Sequence, residues 1–253
     1  MMLFLKIILV LIFSFNLNAR EIGETEITTE DGIEVFQNEK YYLLKKNVKI
    51  ESDNFTLTAD NVRINFDKSL YDITDLNAKG NVNFNSKEFE IRGNGKLLNF
   101  EVKIEKIKVQ GQGSELTTKD VMMFSDGFIE VSNLSGDFLL EGINSKLINE
   151  SIIIKAETIN GNFSEKANEK EITYLEVIDK NISYIKNNDT EMYAKKINFD
   201  YDTSIIELID DVTIIRNQEK ITGDYGTLDT INNSYKIKSN NQNKVKVVIQ
   251  NNE

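Results

Sequence analysis

The 253-residue chain contains no cysteine, histidine, tryptophan or proline, and only 13 glycines. Each absence excludes a class of chemistry. Without Cys or His there is no thiolate or imidazole metal site, no disulfide framework, no cysteine nucleophile and no Ser-His-Asp triad. Without proline, and with few glycines, turns fall to Asn and Asp, which tolerate the left-handed region and hydrogen-bond their own backbone. Positive charge is also short: 30 Lys+Arg stand against 41 Asp+Glu, a net charge of −11, with a pI near 4.8. Binding to duplex nucleic acid needs clustered cations to neutralise phosphates, so nucleic acid drops out as a partner. At 40% hydrophobic and 28% charged, the chain is apolar enough to bury a core.

Long apolar runs are confined to the N-terminus. Lys6 is followed by an apolar run from Ile7 to Phe15, then Leu17-Asn18-Ala19 before Arg20-Glu21. The run is shorter than the ~20 residues a membrane span needs, but it fits the apolar core of a secretory signal. Leu17 and Ala19 hold the small-residue positions before a cleavage point, which predicts a signal over residues 1–19 and export to a periplasm or cell surface. An uncleaved anchor beginning at Met1 is the alternative. No cysteine follows the apolar core, so acylation on cysteine is excluded.

From Ile33 onward apolar and polar residues alternate in short bursts, the period of a half-buried strand. Phe55, Leu57 and Ala59 form one burst and Val62, Ile64 and Phe66 the next, with the phase slipping at Asp60-Asn61. A slip of one residue turns the wrong side chains inward unless a bulge or corner absorbs it, so Asp60-Asn61 is predicted to be one. Val82 and Phe84, Phe89 and Ile91, Ile197 and Phe199, and Val245, Val247 and Ile249 continue the pattern. Such short bursts point to an all-β sandwich, barrel or solenoid.

The pattern also repeats. Ile64-Asn65-Phe66-Asp67 recurs as Ile197-Asn198-Phe199-Asp200, and downstream Val82 aligns with Val212, Ile91 with Ile221, Gly93 with Gly223 and Leu97 with Leu228. Repeats of this kind read as stacked hairpin units, each burying a face on its neighbour. The middle, residues 115–188, follows the pattern less clearly.

Tests for catalytic motifs are negative. Gly93-Asn94-Gly95 and Gly111-Gln112-Gly113 begin a dinucleotide fingerprint but have Leu98 and Leu116 where the third glycine belongs, and neither leads from a strand into a helix. The acidic pairs at Asp200, Asp202, Asp210 and Asp211 lack a calcium-loop pattern and read as turn carboxylates. Lys103, Lys106 and Lys108, with Arg92 and Lys96, read as a solvated strand face rather than an anion site.

The run Ala59 to Gly93, with Ala-Asp-x-Val-x-Ile-x-Phe-Asp followed by Gly-x-Val-x-Phe and Ile-x-Gly, resembles the OstA-like domain of lipopolysaccharide-transport proteins, the LptA and LptC group. The second copy, Ala194 to Asp200 followed by Asp211-Val212 and Ile221-Thr222-Gly223-Asp224, resembles an LptA ending. The resemblance implies an open antiparallel β jelly roll over residues 28–239, with a C-terminal edge strand and tail at 240–253. It also implies a non-enzymatic carrier without cofactor, powered by a partner ATPase, that shields lipid A acyl chains and bridges inner and outer membranes with other lipopolysaccharide-transport proteins. On that basis the expected apolar lining is Phe55, Leu57, Val62, Ile64, Phe66, Val82, Phe84, Phe89, Ile91, Ile197 and Phe199. Head-to-tail self-association would use edges at Ile33, Val35, Val245, Val247 and Ile249. Three readings stay open beside it: a membrane-anchored LptC-like component, a secreted β-helix acting on polysaccharide, and a structural surface protein.

Overall fold

In the computed structural model, the described residues are 22–249, apart from 71, 151, 167, 168, 218, 233 and 241–243. The predicted signal, residues 1–19, lies outside them. The described residues fold into eighteen antiparallel strands with no α-helix. In chain order these are β1 (Glu26–Thr28), β2 (Ile33–Phe36), β3 (Tyr41–Glu51), β4 (Phe55–Phe66), β5 (Ile73–Ser86) and β6 (Ile91–Glu101). Four short strands follow: β7 (Lys106–Gln110), β8 (Ser114–Thr117), β9 (Val121–Ser125) and β10 (Phe128–Ser132). The rest are β11 (Asp137–Asn149), β12 (Ile152–Lys166), β13 (Glu169–Asn187), β14 (Thr190–Asp200), β15 (Ile205–Arg216), β16 (Glu219–Asp229), β17 (Ser234–Lys238) and β18 (Lys246–Ile249). The fold class is the expected all-β one.

Each long strand bends once, and its two halves pair along different paths. One path runs β2, β3, β4, β5, β6, β7, β10, β11 and on through β16 to β17, using for example Val62↔Ala78, Leu98↔Val109 and Leu208↔Gly226. The other starts at β1, passes through β3 to β6, β8, β9 and β11, and ends at β18, using for example Leu57↔Phe84 and Ile154↔Ile185. We call these the first and second layers. They are joined along the row of bends.

The bends follow a rule that local chemistry explains. Strands β3, β5 and β15 carry two extra residues there, Lys46-Asn47, Gly80-Asn81 and Asp210-Asp211, all with positive φ. Asn, Asp and Gly enter the left-handed region at least cost. Strands β4, β6, β12, β14 and β16 carry a single extra residue, and it is always charged: Asp60, Lys96, Glu157, Lys195 and Asp224. That charge meets the next strand's bend or the segment beyond it. Asp60 accepts from Asn81 Nδ2 at 3.0 Å, Glu157 pairs with Lys180 at 3.4 Å, Lys195 with Asp211 at 2.9 Å, and Asp224 accepts from the Asn240 N–H at 2.7 Å. The corner expected at Asp60-Asn61 is the first of this series.

In the middle, Gly111 to Gly113 and Asp126-Gly127 replace the bulges, so β7 with β8, and β9 with β10, are bent strands broken at the corner. Gly111 and Gly113 take positive φ, and Gly113 N–H donates to Asp126 at 2.9 Å. Pairing therefore continues from the first repeat into the second through residues 115–188.

Side-chain size makes the two layers diverge. Next to the bends, the inner face of the second layer carries Val48, Ala59, Val82, Gly95, Ser114, Ser125, Ser145, Ala156, Ser183, Ala194, Val212 and Gly223. All are small, so the layers meet closely there. The buried hydroxyls are bonded, as burial demands: Ser125 and Ser145 Oγ lie 3.0 Å apart, Ser145 donates to Gly142 C=O, and Ser183 to Lys195 C=O. One pleat farther out the same face carries Ile50, Leu57, Phe84, Leu116, Met123, Leu147, Ile154, Ile185, Met192 and Ile214, all buried. The core is thus a wedge, closed at the bends and facing out between two rows of hairpin ends.

The two repeats share this plan but not the residue alignment expected. Val82 faces Gly95 and Val212 faces Gly223, so counting from the bend Gly223 matches Gly95 rather than Gly93. Counted likewise, Ile197 matches Val62, and Phe199 matches Ile64. Leu97 is 39% exposed and Leu228 only 7%, so they are not counterparts either. The halves of each long strand differ in length between the copies, and a shift of two residues preserves the facing of every side chain while moving it one pleat along.

Candidate functional site

The hairpin ends of the two layers form an open seam opposite the bends. In the C-terminal half it encloses a cavity of about 340 Å³. Ile152 and Ile185 contribute from the second layer, and Ile172, Leu175, Phe199 and Ile206 from the first, while Asp120, Asn149, Glu150, Glu171, Asn187, Tyr201 and Thr230 border the cavity as well. The cavity is therefore apolar within and polar at its mouth, the arrangement that takes up an apolar chain and leaves a polar head in water.

The seam differs in the N-terminal half. There Phe66 is buried at the third inward position of β4 and lies 6.3 Å from the Tyr42 ring. Phe89, in the turn between β5 and β6, reaches from the second layer to Phe100 on the first, with ring centroids 6.1 Å apart. At the third inward position after the bend of β14 stands Tyr201, 41% exposed. One pleat of offset thus removes the aromatic plug and leaves the cavity.

Among the expected lining residues, Leu57, Val62, Ile64, Phe66, Val82, Phe84, Ile91 and Ile197 are buried on the inner faces. Phe55, Phe89 and Phe199 are partly buried against that core, and Phe199 borders the cavity. The expectation named no residue among Ile172, Leu175, Ile185 and Ile206. The alternation of Leu175 and Val177 was readable, but a register shift beside Thr173 puts Ile172 out of phase with it.

At the edges, among the described residues, β2 has a register with β3 alone, and β18 with β16 alone. Ile33, Val35, Val245, Val247 and Ile249 are all exposed. Lys106 and Lys108 do not reach the seam: both meet Glu130 on the outer face, at 2.7 and 3.4 Å. Burial alone would raise the Glu130 carboxyl, but the hydrogen bond from Lys106 and the charges of both lysines hold it below its usual range. No group of three or more potential metal ligands occurs among the described residues.

Residues 28–126 match the family model described as LptA/(LptD N-terminal domain) LPS transport protein. That stretch includes the motifs from Ala59 to Gly93. No curated protein matches the chain. Among solved structures, LptH of Pseudomonas aeruginosa, described as the LptA-homologous periplasmic component of the lipopolysaccharide transport device, aligns at 10% identity over 90% of this chain and 96% of that one, with a TM-score of 0.23.

Proposed function

We propose that this protein is a non-enzymatic carrier of lipopolysaccharide in the periplasm, sheltering acyl chains between its two layers. The observation that carries the reading is the apolar wedge, open at the seam in its C-terminal half, with the cavity bounded by Ile172, Leu175, Ile185, Phe199 and Ile206. Each methylene moved from water into such a space contributes ~0.8 kcal/mol. The family match over residues 28–126 supplies the substrate class. In this reading residues 1–19 are the export signal, 28–239 the carrier body, and 240–253 hold the C-terminal edge and tail. A photo-crosslinking residue at Phe199 should capture lipopolysaccharide, while one at Asn198, which faces outward and bonds Glu207, should not. Equal labelling at both sites rejects the seam as the binding site.

The exposed edges extend the reading to a bridge between inner and outer membranes. An edge strand presents unpaired N–H and C=O groups to any chain that can pair with it. Proline is absent throughout, and β18 offers Val247, Val248 and Ile249. Copies stacked head to tail, with β18 against β1 and β17 against β2 so that each layer continues, form an open, non-closing array. Val247→Pro should shift the protein toward monomer in light scattering with its circular dichroism unchanged; a particle size that does not change removes the bridge and leaves a shuttle.

A further inference from the structure

The outer face of the second layer carries a cross-strand row with no role in the seam. Phe124 (β9) stands opposite Lys146 (β11), Lys146 opposite Lys155 (β12), Lys155 opposite Tyr184 (β13), and Tyr184 opposite Tyr193 (β14). The Lys146 ammonium lies 5.8 Å from the Phe124 ring and the Lys155 ammonium 5.5 Å from the Tyr184 ring. The two tyrosine rings are 5.1 Å apart. Two lysines directly opposite each other on neighbouring strands repel. In a chain with 41 acidic residues, neither has a carboxylate partner among the described residues. Of the acids beside the row, Glu191 is engaged by the Tyr193 hydroxyl at 2.9 Å and by Lys186 at 3.8 Å, and Glu115, opposite Phe124 on β8, accepts from Asn94 and Thr117.

We infer that this row is a binding site for an anionic saccharide, a pyranose ring bearing a phosphate or carboxylate. Each ammonium lies beside a ring of the row, and an anionic group on this face supplies the charge complement that the two opposed lysines lack. The neighbouring rings give the flat, part-apolar surface on which the C–H face of a sugar stacks. An anionic membrane surface is the competing occupant, favoured by exposed Met122 beside the row. Such surfaces contribute only about 1 kcal/mol per basic residue, and Lys146, Lys155 and Lys186 are offset by Glu191 and Glu115, so the saccharide is the better fit. The site is separate from the seam and does not depend on acyl-chain binding.

The test uses the chain with isotope-labelled tyrosine rings, titrated with glucose 6-phosphate, glucose, inorganic phosphate and vesicles containing phosphatidylglycerol. The expected result is a shift of the Tyr184 and Tyr193 signals by glucose 6-phosphate, with half-saturation on the order of 1 mM, while the buried Tyr42 signal stays fixed. Lys146→Gln with Lys155→Gln should weaken this at least tenfold, and Tyr184→Leu should remove the preference for glucose 6-phosphate over phosphate. Equal response to phosphate alone, preferential response to vesicles, or no shift with glucose 6-phosphate each overturns the proposal. Unchanged circular dichroism of the variants separates lost binding from lost folding.

Discussion

The two halves of the molecule repeat one plan of bent strands and use it differently. In the N-terminal half, Phe66 packs beside Tyr42 and Phe89 closes on Phe100, so the seam is filled by the protein's own aromatics. In the C-terminal half, Phe199 sits one pleat nearer the bend, Tyr201 takes the position of Phe66, and the seam opens into a cavity. One plan of bent strands therefore gives a plugged wedge or an open one according to where one aromatic falls along the strand. Function in a roll of this kind is written in pleat position more than in composition.

The largest test of that contrast is truncation of each aromatic. Phe84 is buried at 5% exposure, with Gly93 directly opposite, so Phe84→Ala should cost ~3–5 kcal/mol in denaturant unfolding. Phe199 already borders empty space, and Phe199→Ala should cost less than half as much. Equal losses would mean that the cavity is closed in solution. Phe89→Ser, which removes the plug without emptying the core, should make a crosslinker at Phe66 capture lipid as one at Phe199 does; continued silence at Phe66 would show that Phe89 is not the gate.

A smaller effect separates the glycines that sequence alignment equates. A Cβ on Gly93 would lie 2.6 Å from the Glu115 carbonyl oxygen and 2.8 Å from the Phe84 ring. On Gly223 it would meet the Ile237 side chain at 2.5 Å and the Lys238 carbonyl oxygen at 2.7 Å. Both approaches are too close, but Ile237 and Lys238 belong to the edge strand β17, which among the described residues pairs with β16 alone and can move outward. Gly93→Ala should therefore destabilise by ~1–3 kcal/mol, in the range of core overpacking, and Gly223→Ala by less. Equal losses would restore the equivalence of the two positions.

What the sequence made legible follows from which signals are local. Alternation in Phe55–Phe66 and the phase slip at Asp60-Asn61 report the strand and its corner directly, because both arise within one strand. The continuity of the middle was hidden because Gly111 to Gly113 and Asp126-Gly127 cut two bent strands into four short ones. The cavity was hidden because it depends on which residues of distant strands share a pleat, and a two-residue offset leaves the alternation unchanged. The paired Lys146 and Lys155 were invisible for the same reason: nothing nearby in sequence marks them as neighbours.

The smallest effect probes the junction between the halves. Lys106 and Lys108 on β7 hold Glu130 on β10, so this ion triad spans the end of the family-matched stretch at residue 126. The Glu130 carboxyl is held below its ordinary value of 4.5 in the folded chain. A depressed folded value means that the folded state prefers the ionised form. The triad's contribution is thus fully present above the unfolded value and is lost as pH falls through the folded one. The side chains are partly exposed and screened, so the contribution is on the order of 1 kcal/mol or less. Glu130→Gln should lower stability near neutral pH, and the gap from the parent protein should narrow as pH drops below 4.5. If the halves unfold as one unit, as continuous pairing through β7 and β10 requires, the variant will show a single transition shifted as a whole. Two transitions, with only one of them moved, would show that the plugged and open halves are energetically separate.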